Sequence, residues 1–118
     1  MDNAAKYLFT CKSNYFSVIR PADNNSKNEQ GYKTLVQIAM TYFDNNRYND
    51  FAGFFMEGQY FVDLWTAHLI LEFGNPDQNL IDTCIEIIKG YSKGSLDEQV
   101  TAQEKKWLDD FLKEKERT

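Results

Sequence analysis

Residues 59–74 read QYFVDLWTAHLILEFG, and a helix over this stretch leaves almost no face for water. Leu64, His68 and Leu71 follow one side of such a helix at spacings of four and three residues. The apolar residues of a second side recur every four residues: Trp65, Leu69 and Phe73. A helix that is apolar all round packs in the middle of a bundle. This stretch therefore predicts a central helix surrounded by other helices.

The ends of this helix carry their own signals. Asp63 falls in the predicted first turn, where the partial positive charge of the helix N-terminus stabilises a carboxylate. Gly74 stands where a residue in the left-handed conformation would end the helix. Asn75 and Pro76 then read as the N-cap and the first residue of the next helix.

Amphipathic patterns predict helices on both sides of the central one. Residues 32–43 form a clear pattern that Asn45 and Asn46 end in a tight turn, and residues 48–56 form a shorter one that Gly58 caps. After the central helix, one stripe comprises Leu80, Ile81, Cys84, Ile85, Ile88 and Tyr91, with Gln78, Asp82 and Glu86 opposite and a stop over residues 90–94. The last helix is predicted to begin at a capping box, Thr101 with Glu104, and to bury Trp107, Leu108 and Phe111.

The N-terminal residues 3–20 allow two structures. Their apolar positions fit one helical stripe: Ala4, Leu8, Cys11, Tyr15 and Ile19. Two short strands paired across residues 12–14 fit as well. We favour the helix, because the rest of the chain is helical, and Pro21 ends either structure. Residues 22–31 are polar and predict a surface loop, in which Ser26 and Glu29 form a capping box for the next helix.

The predicted fold is all-α: a single helical domain over residues 1–118, built as a compact bundle of five to six helices with a charged tail over residues 113–118. Links of two to ten residues place neighbouring helices antiparallel. The helix pairs within residues 32–56 and 60–91 then form hairpins stacked side by side, which is the HEAT-like plan of an α-solenoid.

Composition predicts a soluble protein with a core. Hydrophobic residues make up 42% of the chain and aromatic residues 15%, well above the level of disordered chains. The first residues do not read as a secretory signal, and no apolar run approaches the ~20 residues that a membrane span needs. We therefore expect a cytoplasmic protein without a membrane partner. Its two cysteines, Cys11 and Cys84, are expected to be small buried hydrophobes.

Motifs for catalysis or cofactor binding do not occur in the sequence. The one histidine, His68, lies in an apolar helix, whereas zinc needs three or four ligands at recognisable spacing. The Asn- and Asp-rich runs lack the Gly and Glu of a calcium loop, and phosphate-binding and nucleophile motifs are absent. Carboxylate pairs on polar helix faces read as solvated charges. The sequence predicts no catalytic residue, no metal, no cofactor and no enzyme.

Negative charge is concentrated in the middle of the chain. The net charge is −5, and residues 48–88 contain seven acidic residues and no Lys or Arg. This disfavours nucleic acid as a direct partner, because its binding depends on Lys and Arg. The acids either keep the protein soluble or form a docking face for a basic protein, with Tyr60, Tyr48 or Tyr91 as aromatic anchors. The residues assigned to that face are Asp50, Glu57, Tyr60, Asp63, Glu72, Asp77, Asp82 and Glu86.

Two segments resemble a known family. VDLWTAHLILEFG, residues 62–74, and AQEKKWLDDFL, residues 102–112, flank an amphipathic helix that ends in IEIIKGYS. This order is similar to that of small all-helical HEAT-like bacterial domains, the immunity proteins of polymorphic toxin and contact-dependent growth inhibition systems. The matching residues are Val62, Leu64, Trp65, Ala67, Leu71 and Glu72 and, more loosely, Ala102, Glu104, Trp107 and Leu108.

The resemblance covers roughly residues 32–112 and rests mostly on core positions. It implies a protein that binds a cognate toxin, often a nuclease, and blocks its active site without a small-molecule substrate. Two other functions remain open. A helical-repeat adaptor that binds a peptide or partner helix predicts a concave apolar strip. A small enzyme or regulator predicts a cavity that holds His68 and an acid at hydrogen-bond distance.

Overall fold

Residues 2–117 are described by a computed structural model, and helices account for all of their regular structure. Met1 and Thr118, which belong to the predicted domain and its tail, lie outside the described residues. The six α-helices are α1 (Asn3–Phe16), α2 (Gln30–Asp44), α3 (Tyr48–Ala52), α4 (Val62–Phe73), α5 (Gln78–Lys93) and α6 (Glu98–Arg117). Short 3₁₀ turns occupy Asn24–Asn28, Gly53–Met56 and Gln59–Phe61. Residues 113–117 of the predicted tail continue α6.

Helix α4 is the centre of the bundle, as its sequence predicts. Every residue from Leu64 to Ile70 is buried. Helix α5 packs on α4 and on α6, α1 packs on α2, and α4 contacts α1 and α2 as well. The radius of gyration is 13.4 Å, close to the roughly 13.5 Å expected of a compact domain of this length. The all-α bundle is thus confirmed, whereas the HEAT-like arrangement of its hairpins stays a prediction.

Helix α1 resolves the choice between helix and hairpin in favour of the helix, but its buried stripe differs from the predicted one. The buried residues are Tyr7, Thr10, Cys11 and Asn14. Tyr7 sets this rotation, because its ring packs on Phe51 and its hydroxyl lies 2.8 Å from Thr66 Oγ1. The Thr66 hydroxyl donates to the carbonyl of Val62, so Tyr7 is the donor to Thr66. The helix ends at Phe16, before Pro21 is reached. Val18 follows with a φ of 57°.

The loop over residues 22–31 is more structured than predicted. Asn24–Asn28 form a 3₁₀ turn, and α2 starts at Gln30 without a side-chain cap. The predicted capping box at Ser26 is wrong. Ser26 is buried, and its hydroxyl oxygen accepts the backbone N–H of Arg20 over 3.0 Å. The serine therefore fixes the path of the loop instead of starting the helix.

Aspartates start the last two helices, α5 later and α6 earlier in the sequence than predicted. Asp77 accepts a backbone N–H of the first turn of α5 over 2.9 Å, two residues beyond the predicted N-cap at Asn75. Asp97 does the same for α6 through two N–H groups at 2.9 and 3.2 Å. The predicted capping box of Thr101 and Glu104 is therefore wrong. A carboxylate suits the N-cap position, because its oxygens accept hydrogen bonds from the N–H groups of the first turn and the helix dipole stabilises its negative charge.

The predicted stop at Gly58 is wrong, whereas the stop predicted over residues 90–94 is confirmed near its end. Residues 48–56 divide into α3 and the 3₁₀ turn Gly53–Met56, and Gly58 is not a cap of either. Helix α5 continues through Gly90 and ends at Lys93. The tight turn at Asn45 and Asn46 is confirmed.

Gly74 ends α4 for a reason other than the one predicted. Its φ is −99°, so it is not left-handed. A Cβ at this position would lie 2.9 Å from the carbonyl oxygen of Ile70 and 3.0 Å from the ring of Tyr48. Glycine is needed here because the chain passes too closely for a side chain.

Replacing Gly74 with alanine is therefore expected to destabilise the fold by about 1–3 kcal/mol, as overpacking does. Gly58→Ala is the matched control, since a Cβ there meets nothing within 4 Å. We expect that variant to stay within about 0.5 kcal/mol of wild type. Urea denaturation of the three proteins measures both effects, and equal midpoints for the two variants would contradict the close approach at Gly74.

Candidate functional site

A cleft of about 1240 Å³ opens between the 3₁₀ turn at Gln59–Phe61, the C-terminal half of α5 and the link from α5 to α6. Tyr15 of α1 completes its lining. The link carries Leu96, which is fully exposed, and runs directly into the first turn of α6. The cleft thus joins segments that are far apart in the sequence.

Aromatic rings form one continuous wall of this cleft. The ring centre of Tyr15 lies 5.4 Å from that of Tyr60 and 5.4 Å from that of Phe61. Phe61 lies 5.8 Å from Tyr91. Such rings provide large contact areas at a low cost in conformational entropy, which is why aromatic residues anchor many protein interfaces.

The backbone of this wall is strained. Tyr60 and Phe61 have φ values of 53° and 59°, a conformation that bulky residues rarely adopt. Each such residue costs on the order of 1–3 kcal/mol. The turn would be less strained with glycine or asparagine at these positions. Ring packing offsets this strain: Tyr60 packs on Tyr15 and Phe16, and Phe61 packs on Tyr15 and Tyr91.

Four carboxylates line the cleft, and two of them are held internally. Asp63 accepts the hydroxyl of Tyr91 over 2.8 Å. Burial, reinforced by this hydrogen bond, raises the pKa of Tyr91 and keeps the hydroxyl a donor. Asp97 caps α6 and lies 3.7 Å from Arg20.

The other two carboxylates have charge to offer a partner. Glu86 is exposed and lies 3.6 Å from the Nζ of Lys89, a weak surface pair. Glu98 is also exposed, and its side chain makes no hydrogen bond or ion pair with the side chains that the structure describes, those of residues 2–116. The residues that line the cleft include no Lys or Arg. Its surface is therefore aromatic and negatively charged.

Three of the eight residues assigned to the acidic face line this cleft: Tyr60, Asp63 and Glu86. The other five lie elsewhere. Asp50 pairs with an arginine three residues before it, and Asp77 caps α5. Glu72 is hydrogen-bonded to His68 in the core, and Asp82 accepts a hydrogen bond from Gln78. Glu57 is exposed and does not line the cleft.

Several lining residues with aromatic, apolar or acidic side chains were not assigned from the sequence, because they lie outside the base-free segment. They include Tyr15, Leu96, Asp97 and Glu98. The acidic pair could have been found by reading Asp97 as an N-cap with Glu98 in the first turn, a common helix start. Tyr15 carries no such local signal.

A second cluster of charged groups lies inside the protein. His68 is fully buried in α4, with Nδ1 at 2.9 Å from Glu72 Oε2 and Nε2 at 2.6 Å from Glu104 Oε1. When the ring is protonated to the imidazolium, both of its nitrogens donate, one to each glutamate. The ring also meets Trp107 edge to face at 4.4 Å.

The pKa of His68 fits this geometry. Burial alone lowers the pKa of the ring, but the charges and hydrogen bonds of Glu104 and Glu72 outweigh it and raise the pKa from 6.5 to about 9. Glu104 is 1% exposed, and its Oε2 has no partner in the described part of the chain. Neither this cleft nor a smaller one beside α2, about 520 Å³ in volume, is lined by His68. Neither of these two clefts therefore gives a substrate access to the buried cluster of His68, Glu72 and Glu104.

Other reactive groups offer no site. Cys11 and Cys84 are free thiols within the core, and burial raises the pKa of both, so they remain protonated. Within residues 2–117, no group of three His, Cys, Asp or Glu side chains is arranged to hold a metal ion. None of the helices in the described part is long and apolar enough to cross a membrane.

The cleft has aromatic residues, which suit the apolar strip of an adaptor, and carboxylates, which suit an acidic docking face. It can hold a positively charged segment by stacking and by charge pairing. Comparisons with protein-family models, with curated proteins and with solved structures find no match for this chain. Its function therefore has to be argued from the chemistry of this cleft.

Proposed function

We propose that this chain is an immunity protein that binds a basic toxin domain, such as a nuclease, inside the cell that makes both, and blocks its active site. The observation that carries the proposal is the cleft lined by four carboxylates and four aromatic rings, with no Lys or Arg among its lining residues. The family resemblance of residues 62–74 and 102–112 agrees with it.

Charge provides the attraction in this proposal. A nuclease presents Lys and Arg to the phosphates of its substrate, because those contacts supply most of the binding energy. An acidic surface speeds the encounter with such a protein and aligns it. Glu86 and Glu98 are the cleft residues with charge to spare, so they fit this role best.

Aromatic contact provides the affinity. Tyr60 is half-buried, and Phe16 beside it is 69% exposed with its ring centre 5.9 Å from that of Tyr60. Together with Leu96 at the other rim, they give a partner apolar surface to cover. Inhibition then follows from occlusion of the toxin, and the chain itself performs no reaction.

Co-expression tests the proposal. This chain is produced together with the C-terminal domain of a large secreted protein from a neighbouring gene. We expect the domain alone to stop growth and the pair to grow and to co-purify in a one-to-one complex. If the domain is harmless, or kills cells whether or not this chain is present, the immunity proposal is wrong. A helical adaptor, which the aromatic wall also suits, would then be the function to pursue.

Charge reversal in the cleft tests its role. Glu86→Lys combined with Glu98→Lys is expected to weaken the toxin complex about tenfold, because like charges then face each other in the interface. Isothermal titration at physiological ionic strength measures this. The control pair, Asp44→Lys with Asp109→Lys, makes the same change in net charge at exposed positions outside the cleft. Equal losses in both pairs would mean that total charge, and not the cleft, drives binding.

A further inference from the structure

The cleft has a feature that specifies what enters it. We propose, on the basis of the function above, that it receives one arginine side chain of the partner, which approaches over Gly90 and stacks on the aromatic wall. Three observations support this: the glycine on the cleft side of α5, the two carboxylates with charge to spare, and a guanidinium that the same wall already holds.

Gly90 lies inside α5, where glycine is unfavourable by about 1 kcal/mol relative to alanine. The backbone does not require it, because no described glycine has a φ in the left-handed region. Packing does not require it either, since a Cβ at this position would meet nothing within 4 Å. What glycine achieves here is open space along the cleft, and such space lets another chain come close to the helix.

The chemistry of the wall favours a guanidinium over other cations. Arg20 shows this within the protein. Its Cζ lies 5.2 Å from the ring centre of Tyr15 and 5.0 Å from that of Phe61. Its Nη2 lies 3.7 Å from Oδ2 of Asp97. Arg20 is buried and does not line the cleft, so it packs behind the wall.

The open side carries further rings and carboxylates. The nearest cations there are two lysines that do not line the cleft: Lys12, whose Nζ lies 5.6 Å from the ring centre of Tyr60, and Lys89, whose Nζ lies 3.6 Å from Glu86. No guanidinium lies on this side among the lining residues.

Arginine suits this combination because its planar group stacks on aromatic rings while its N–H groups donate to carboxylates. Lysine presents a compact, strongly hydrated charge and gains less from the same surroundings. Glu86 and Glu98 are the acceptors, since Asp63 and Asp97 are already engaged. The occupant is therefore an arginine of a basic protein.

The first test needs no toxin. N-acetyl-arginine N-methylamide is titrated into the isotopically labelled protein, and the amide signals of Gly90, Gly94 and Glu98 are followed by NMR. We expect saturable shifts of these signals at millimolar concentration, at least fivefold weaker binding of the lysine analogue, and no shift with the neutral citrulline analogue. Equal binding of the lysine analogue, or shifts spread evenly over the surface, would overturn the assignment.

A filled cleft provides the second test. Gly90→Leu places a side chain in the open space and is expected to abolish the shifts and to weaken a toxin complex about tenfold. Gly53→Leu is the matched control, because its Cβ also meets nothing within 4 Å and the position lies outside the cleft. Thermal unfolding of both variants checks that each is folded.

The two proposals fail separately. If Gly90→Leu restores growth and co-purifies with the toxin as wild type does, the arginine site is wrong while the immunity function stands. If wild type binds the arginine probe at these signals but no neighbouring toxin is neutralised, the site stands and the immunity function is wrong.

Discussion

Replacing Trp65 with alanine is expected to destabilise the protein by about 3–5 kcal/mol, the usual cost of removing a large aromatic side chain from a core. Trp65 is 1% exposed in the middle of α4. Its ring meets that of Tyr32 edge to face at 5.5 Å, so the cavity would open between α4 and α2. Neighbouring helices cannot close such a space without losing their own contacts.

Urea denaturation, with the midpoint and slope fitted to a two-state transition, measures this loss. Trp65→Phe is the informative control. The indole Nε1–H is buried and has no partner within the described residues, so phenylalanine removes an unsatisfied donor while it keeps most of the apolar contact. We expect this variant to lose much less than Trp65→Ala. Similar losses in the two variants would show that the cavity is not the cause.

The helices that the sequence predicts well are those whose burial follows a local pattern. Residues 32–43 and 59–74 carry their periodicity in consecutive turns, and α2 and α4 appear within a few residues of those ranges. In α5, the polar row of Gln78, Asp82 and Glu86 is exposed as predicted. A helix in a bundle has to bury its apolar face, so the pattern alone determines both its type and its orientation.

The features that could not be predicted from the sequence depend on contacts between residues that are far apart in the chain. Tyr7 is buried because Thr66, which is 59 residues away, accepts its hydroxyl, and no local pattern indicates that pairing. Glu104 fits a capping box by its spacing, yet it pairs with His68 across 36 residues. The cleft likewise depends on bringing Tyr15 and Glu98 next to the turn at Gln59–Phe61. Local spacing predicts helices, whereas sites built from several helices need the packing.

Glu104→Ala is expected to cost about 3–5 kcal/mol at pH 7, because it leaves the buried imidazolium of His68 without its nearest counter-charge. The pair is fully enclosed, with both side chains 1% exposed and 2.6 Å between Nε2 and Oε1. Replacing both His68 and Glu104 with leucine removes the charge together with its counter-charge. The double variant should therefore lose less free energy of unfolding than the sum of the losses in His68→Leu and Glu104→Leu. A double variant that loses the full sum would show that the two residues contribute independently.

The pair also makes stability depend on pH in a defined direction. The pKa of His68 is about 9 in the folded protein and about 6.5 in an unfolded chain. A raised histidine pKa means that the folded state holds the proton more tightly, so the contribution is complete below about pH 6.5 and is lost as the pH rises through 9. Each unit of pKa difference corresponds to about 1.4 kcal/mol, so the loss amounts to a few kcal/mol.

Other buried groups act in the same direction at high pH, which makes a variant necessary for the assignment. Burial raises the pKa values of Tyr7 and Cys11, so both favour the folded state less as they approach ionisation. The comparison is therefore between wild type and His68→Gln, unfolded in urea at pH 6, 7.5 and 9. Wild type should lose stability between pH 6 and 9 by more than the variant does, and the difference between the two curves belongs to His68. Parallel curves would mean that His68 is not the group whose titration changes the stability. Glu72 and Glu104 would then stabilise the fold in some way other than by keeping the imidazole ring protonated.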